Sequence, residues 1–273
     1  MVEAALLARA WRLARRQGPG ALIVTAKSRL WPRRVRGHRG HLARLAGGLG
    51  LEIGGPSALF DHLGLLPAYA VAGRVDNCNF GHETVWEGAL TVGMTFKFDR
   101  GRRLGVQYIA EATDLQPIAP ETYDFVLSSH AIEHVANPLG ALKEWSRVLK
   151  PGGHLVLFAP HKDGTFDHRR PVTALAHLMD DFRAGVGEDD LTHLGEILAL
   201  HDLAMDPEAG SFESFERRSR RNVENRCLHH HVFDTALASE MVASAGFELL
   251  AEGFYPPGDI FVMARKPDGT ARP

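Results

Sequence analysis

The stretch Tyr123–Pro160, YDFVLSSHAIEHVANPLGALKEWSRVLKPGGHLVLFAP, decides the fold. It reads as strand, loop, helix, glycine turn and strand. Residues 123–127 form a short apolar run opened by Asp124, and residues 141–149 place Leu142, Trp145, Val148 and Leu149 at helical spacing. Lys150-Pro151-Gly152-Gly153 supplies a positive charge, a proline and two glycines, which together stop a helix. A second apolar run, residues 154–158, closes at Pro160. A strand–helix–strand unit of this size packs as a parallel, right-handed crossover. Ligands of such sheets bind beyond the carboxyl ends of the strands. At that end of the first strand the sequence carries Ser128, Ser129, His130, Glu133 and His134, a polar cluster directly after an apolar run.

Upstream, residues 49–53 read as a buried strand followed by Gly54-Gly55-Pro56-Ser57, a turn whose glycines let backbone approach a ligand. Residues 68–75 are the next strand candidate, ending in Asp76-Asn77, with Asp76 about twenty residues past the glycine turn. An acid there suits bidentate hydrogen bonding to vicinal ribose hydroxyls; the competing reading is a surface Asp-Asn turn. Residues 78–101 are longer than a simple crossover, and Phe80, Trp86, Met94, Phe96 and Phe98 make them apolar enough to pack. Residues 107–110 form a short strand leading into Glu111-Ala112-Thr113-Asp114-Leu115. Downstream, residues 235–245 form an amphipathic helix capped by Gly246, and residues 247–254 and 259–265 form strands joined through Pro256-Pro257-Gly258.

The central stretch, YDFVLSSHAIEHV…NP…AL.E..RVLKPGG.L.L..P, resembles the class I S-adenosylmethionine (SAM)-dependent methyltransferases, in their large type 11 branch. That resemblance implies an α/β fold: a Rossmann-like, doubly wound, mostly parallel seven-stranded sheet with an antiparallel last strand and a helical cap insertion. It implies SAM as cofactor and a methyltransferase activity. Carried over, Glu52 faces the SAM amino group while Gly54 and Gly55 make room for the cofactor. Asp76 takes the ribose, Glu111 and the backbone of Ala112 meet the adenine edge, and Ser128 and Ser129 lie at the mouth of the site. The chain departs from the family at Pro56-Ser57, where many members have a third glycine. Glu133 and His134 read as a structural pair at a helix start, and Asp114 as a cap.

The expected organisation is a basic segment 1–44, a SAM-binding core 45–160, a cap 161–231 for the acceptor, core-completing elements 232–266 and a tail 267–273. The pattern D.RRPVT…HL..D…D..H..E…HHHVF in the cap resembles an insertion of a bacterial subgroup associated with sugar or polysaccharide biosynthesis. The acceptor is therefore expected to be a small-molecule or glycan hydroxyl. A hydroxyl acceptor needs a base near neutral pH, for which histidine is suited. His130 and His161 lead as candidates, followed by His229 and His231. The many histidines and aspartates of 161–231 invite a metal, but solvated charge is the commoner outcome and no metal is expected. Residues 208–225, rich in Ser, Arg and Glu, read as the exposed part of this segment.

The 273 residues carry a net charge of −2, so nothing global favours a nucleic acid. Two cysteines, Cys78 and Cys227, form neither a disulfide framework nor a zinc spacing, and a cytoplasmic setting is expected. Before position 45 eleven Lys and Arg residues, from Arg9 to Arg44, face one acid, Glu3. Arginines alternating with Ala5, Leu6, Leu7, Trp11 and Leu13 allow a peripheral contact with anionic lipid or an ordinary helix packed on the sheet. Oligomeric state is not legible. Two alternatives stand beside the methyltransferase: a nicotinamide-dependent oxidoreductase, disfavoured by the lack of G-x-G-x-x-G, and a non-catalytic scaffold of the same fold.

Overall fold

The computed structural model describes residues 33–99 and 101–269. Their elements run α1 (His38–Leu45), β1 (Leu49–Ile53), α2 (Ala68–Val71), β2 (Arg74–Asn79), a two-residue hairpin β3 (Glu83–Thr84) and β4 (Gly88–Ala89), β5 (Gly93–Phe96), β6 (Gly105–Ile109) and β7 (Tyr123–Ser129). Then follow α3 (Pro138–Val148), β8 (Leu149–Pro160), α4 (Leu175–Ala184), α5 (Leu194–Leu200), α6 (Phe212–Ser219), α7 (Asn222–Asn225), α8 (Thr235–Ser244), β9 (Glu248–Tyr255) and β10 (Asp259–Arg265). The lipid-contact reading of the N-terminus falls mostly on residues 1–32 and lies outside the described residues. No helix among those described is long and apolar enough to cross a membrane.

Eight strands form one sheet in the order β5-β6-β2-β1-β7-β8-β10-β9. The five from β6 to β8 are mutually parallel, and β10 runs antiparallel to both β8 and β9. The sequence reading expected seven strands; the eighth, β5, comes from the long segment after β2 and pairs antiparallel with β6. Residues 68–75 are also not one strand. Ala68–Val71 is a short helix, and β2 begins only at Arg74. Alanine favours helix, and the break comes at Ala72-Gly73 rather than before Ala68.

Period-2 alternation puts apolar side chains on both faces of the sheet. Along β8, Leu155, Leu157 and Ala159 join one buried layer and Val156 and Phe158 the other; along β10, Ile260, Val262 and Ala264 oppose Phe261 and Met263 in the same way. Helices α3 and α8 cover the first layer, while Phe60, Tyr69 and Leu45 belong to the second. Helix α3 starts where Asn137 accepts a hydrogen bond from Gly140 N (2.9 Å) and a proline takes the first turn. Its Trp145 is wholly buried and donates from Nε1 to Ala112 O (3.1 Å), tying the helix to the loop after β6. Truncating it to alanine would cost about 3–5 kcal/mol. Lys150-Pro151-Gly152-Gly153 does not form a separate turn: it lies within β8, with Gly152 at φ 73° donating to Lys266 O (3.0 Å).

Between β8 and α8, residues 161–231 hold α4 to α7. Residues 208–225 are not an open tail, because α6 buries Phe215 in a small cluster with Ile197, Ala209 and Leu228.

Candidate functional site

Strand β1 ends at Ile53, and the chain turns through Gly54 (φ 77°) and Gly55 (φ 84°), both in the left-handed region that favours glycine. Gly54 N donates to Cys78 O (2.9 Å), and Asn77 Nδ2 donates to Gly54 O, so β2 holds the turn from the side. Glu52 holds it from below. Its buried carboxylate accepts from Tyr69 Oη (2.7 and 2.9 Å) and from Ser57 N (3.1 Å). A Cβ on Gly55 would stand 2.3 Å from Glu52 Oε1, so only glycine fits over the carboxylate. Burial pushes the Glu52 pKa up to about 8, against the hydrogen bonds from Tyr69 and Ser57.

Above the turn lies a cavity of about 560 Å³ at the carboxyl ends of the parallel strands. Gly54 and Gly55 line it, as do Glu111, Ala112, Ser129 and His130. Glu52 and Ser128 do not; both are fully buried beneath it. Ser129 Oγ accepts from Ser57 Oγ (2.8 Å), which closes the glycine turn against the end of β7.

Asp76 is the main departure among the expected cofactor residues. It sits in the middle of β2, buried, and takes hydrogen bonds from Arg74 (3.1 Å), Val106 N (2.9 Å) and Tyr123 Oη (3.1 Å). Because β2 ends later than expected, the side chain at its carboxyl end is Asn79, which lines the cavity with Phe80. Asn79 donates from Nδ2 to Asn77 Oδ1 (2.7 Å), which leaves its amide oxygen as the acceptor.

Glu111 and Ala112 reach the cavity from the end of β6. Glu111 accepts from Arg226 Nη2 (2.5 Å), and the Arg226 guanidinium stands 5.2 Å from the Phe80 ring centre. Two further Arg226 nitrogens, Nε and Nη1, are buried without hydrogen-bond partners, although Glu188 Oε2 is 3.9 Å from Nε. Burial raises the Glu188 carboxyl to about 7 despite that charge.

On the opposite wall the segment 161–231 contributes a histidine–aspartate pair. His229 Nδ1 donates to Asp167 Oδ2 (2.5 Å), and Arg170 Nη1 donates to Asp167 Oδ1 (2.9 Å). Burial alone would raise Asp167, but His229 and Arg170 together hold it down to about 2. Arg170 is itself buried and also donates to Glu196 (2.7 Å) and to the carbonyls of His229 (2.8 Å) and His230 (3.1 Å). The His229 ring packs on Phe166 and edge-on to His134, with centroids 4.6 and 4.7 Å apart. Trp86, from the β3–β4 hairpin, covers His134 at 5.0 Å. Glu133 is buried beneath them, and neither carboxylate oxygen has a hydrogen-bond partner. Burial raises its pKa.

His130 also faces the cavity, held at φ 49° at the end of β7. Its Nε2 donates to Asp259 Oδ1 (2.9 Å). Burial opposes charge on this ring, yet the Asp259 bond and the Glu133 and Asp259 carboxylates raise its pKa. The other two expected bases are not on the wall. His161 packs on Phe254 (4.4 Å), where its Nδ1 accepts from Asp163 N, and its backbone bridges to Phe233. His231 points to a separate cluster with His177, Asp181 and His193.

Three residues of the site are not singled out by the sequence. Asn79 lies past the expected end of β2. Asp167 and Arg170 stand in the D.RR pattern, within a charged tract.

The family described as "Methyltransferase domain" matches residues 89–157. Among curated proteins, the chain is similar to the ubiquinone biosynthesis O-methyltransferase of Parvibaculum lavamentivorans, 40% identical over 50 residues, which is 18% of this chain and 20% of that protein. The protein of the same name from Aliivibrio fischeri is 33% identical over 67 residues, 24% and 28% of the two chains. The matches thus span under a third of those relatives' lengths. Similar solved structures include an S-adenosylmethionine dependent methyltransferase from Mesorhizobium loti (13% identity, TM-score 0.47, 84% of this chain and 95% of that one). Another is a SAM dependent methyltransferase from Aquifex aeolicus (15%, 0.45, 88% and 97%). With five parallel strands and the antiparallel β10 inserted between β8 and β9, the chain has the class I methyltransferase fold. That family match covers about a quarter of the chain.

Proposed function

We propose that the protein is a SAM-dependent methyltransferase that methylates a hydroxyl of a small-molecule or glycan acceptor. The observation that carries the reading is a single cavity with two unlike walls: the glycine turn, Asn79, Glu111 and Ala112 on one, the His229–Asp167 pair on the other.

The first wall fits the cofactor. Gly54 and Gly55 leave backbone bare where a side chain would project, Asn79 offers an acceptor for ribose hydroxyls, and Glu111 with Ala112 offers an acceptor and backbone for adenine. Asp76 takes no part in this proposal, since its partners are all within the sheet. When bound, SAM supplies an electrophilic methyl group. The chain's own residues align the acceptor and remove its proton. The hydrogen bond to Asp167 fixes the His229 tautomer with the proton on Nδ1, so Nε2 is the basic nitrogen. Asp167, held ionised by Arg170, stabilises the imidazolium that forms. Oxygen as the accepting atom is supported by the names of the curated relatives. The glycan alternative is supported by the flat face of Trp86, half-exposed at the rim, which suits a sugar ring. In this reading residues 45–160 and 232–266 form the cofactor-binding core, and 161–231 form the acceptor cap.

Calorimetric titration with SAM and, separately, NADH tests the cofactor. A methyl-transfer screen of phenolic and sugar hydroxyls then tests the acceptor. Saturable binding of SAM and not NADH is expected; binding of NADH alone would overturn the reading in favour of an oxidoreductase.

A further inference from the structure

Three histidines and an aspartate from separate stretches of 161–231 converge behind the cavity wall. His177 and Asp181 are one helical turn apart on α4, which puts both side chains on one face. His193 stands at the N-terminus of α5, and His231 lies on the stretch returning to the sheet. Nε2 of His177 is 2.9 Å from Nε2 of His193 and 3.3 Å from Oδ2 of Asp181, which is 3.7 Å from Nε2 of His231. Each of the four offers a ligand atom, all within 4.8 Å of one another. Around a tetrahedral zinc ion with bonds of 2.0–2.1 Å, neighbouring donors stand roughly 3.3 Å apart. The His177–His193 and His177–Asp181 separations of 2.9 and 3.3 Å lie close to that value.

A neutral imidazole has one donor and one acceptor nitrogen, so the Nε2 atoms of His177 and His193, facing at 2.9 Å, share one proton that a metal ion would replace. The three rings lie 4.9–5.7 Å apart, centre to centre. His231 is fully buried. Its Nε2 donates to the Ala136 carbonyl (3.1 Å), which leaves the lone pair on Nδ1, a buried nitrogen with no hydrogen-bond partner.

We propose that His177, Asp181, His193 and His231 bind one divalent transition-metal ion, zinc by the chemistry of three imidazoles and one carboxylate. Four protein donors complete a tetrahedral shell, which makes the site structural rather than catalytic. The ion ties α4, α5 and the stretch that ends at Phe233 into one unit. It also pins the loop between α4 and α5, whose Glu188 lines the cavity and accepts from Ala136 N (3.1 Å). The site is independent of the methyltransferase reading.

The test uses the full chain, stripped with a chelator, then titrated with zinc chloride by calorimetry and by thermal melting, with elemental analysis of the untreated protein. Binding of one zinc per chain and a rise in Tm are expected. His177→Gln and His193→Gln each weaken binding at least about tenfold while keeping the zinc-free Tm. His134→Gln, in the neighbouring group Glu133, His134 and His229, leaves zinc affinity unchanged. No saturable binding, affinity indifferent to both His177→Gln and His193→Gln, or loss of zinc in His134→Gln instead would each overturn the proposal.

Discussion

Asp167 is held by Arg170 on one carboxylate oxygen and holds His229 with the other, so a buried guanidinium sets the state of a ring that faces the cavity. In the proposed reading His229 Nε2 takes the acceptor proton. Replacing it with alanine should lower kcat for methyl transfer by about 10²–10⁴-fold while SAM affinity is retained. Steady-state rates and SAM calorimetry on the same preparation check both halves.

Asp167→Asn keeps the size of the side chain but removes the charge. The Arg170 guanidinium then faces a neutral amide in a buried place, so a stability loss of about 1–3 kcal/mol is expected with the fall in kcat. Urea unfolding of Asp167→Asn beside His229→Ala separates the two effects, since His229→Ala leaves the Asp167–Arg170 pair intact.

Gly55→Ala should damage the cofactor wall. Its Cβ would press on the Glu52 carboxylate at 2.3 Å from a backbone held at φ 84°. Loss of about 1–3 kcal/mol of stability and at least about tenfold weaker SAM binding are expected, measured by denaturant unfolding and calorimetry.

Asn79 and Asp76 should part company. Asn79→Ala is expected to weaken SAM binding with little change in Tm. Asp76→Ala strips hydrogen-bond acceptance from Val106 N and Tyr123 inside the sheet and should cost about 2 kcal/mol or more. Equal effects of both variants on binding and on Tm would contradict the assignment.

Glu52 imposes a pH dependence whose sign is fixed by its raised pKa. The folded chain keeps the proton through the window from the usual 4.5 up to about 8, so stability falls as pH rises through that window. In SAM-free protein, Glu52→Gln should flatten the decline by roughly 1–3 kcal/mol between pH 5 and pH 9. Guanidinium unfolding at several pH values gives the comparison.

The central crossover was legible because its signals are local. Asp124, read as structural, accepts from Leu49 N and Lys150 Nζ at the start of β7, and β1 and β10 fall on the residues expected. The glycine turn and the Glu111-Ala112 corner were legible for the same reason. What failed depends on distant partners. Whether Asp76 or Asn79 reaches the cavity turns on where β2 ends, at Asn79 rather than at residue 75. His161 and His231 are indistinguishable from His229 by type. Only the packing of residues 161–231 decides that His229 meets Asp167 from sixty-two positions away, while His231 turns to α4 and α5. Long-range convergence of polar side chains leaves no periodicity to read.

The excursion from the sheet after Pro160 begins and ends at one place: His161 bridges to Phe233, and Lys162 N donates to Phe233 O (2.9 Å). Entry and exit are already neighbours, so the sheet needs nothing from the intervening residues to close its own connection into α8. Evolution can therefore lengthen, trade or rebuild that stretch without disturbing strand order. The two walls still touch across that boundary, through Arg226 on Glu111 and His134 against His229, so a rebuilt stretch would have to keep those two contacts.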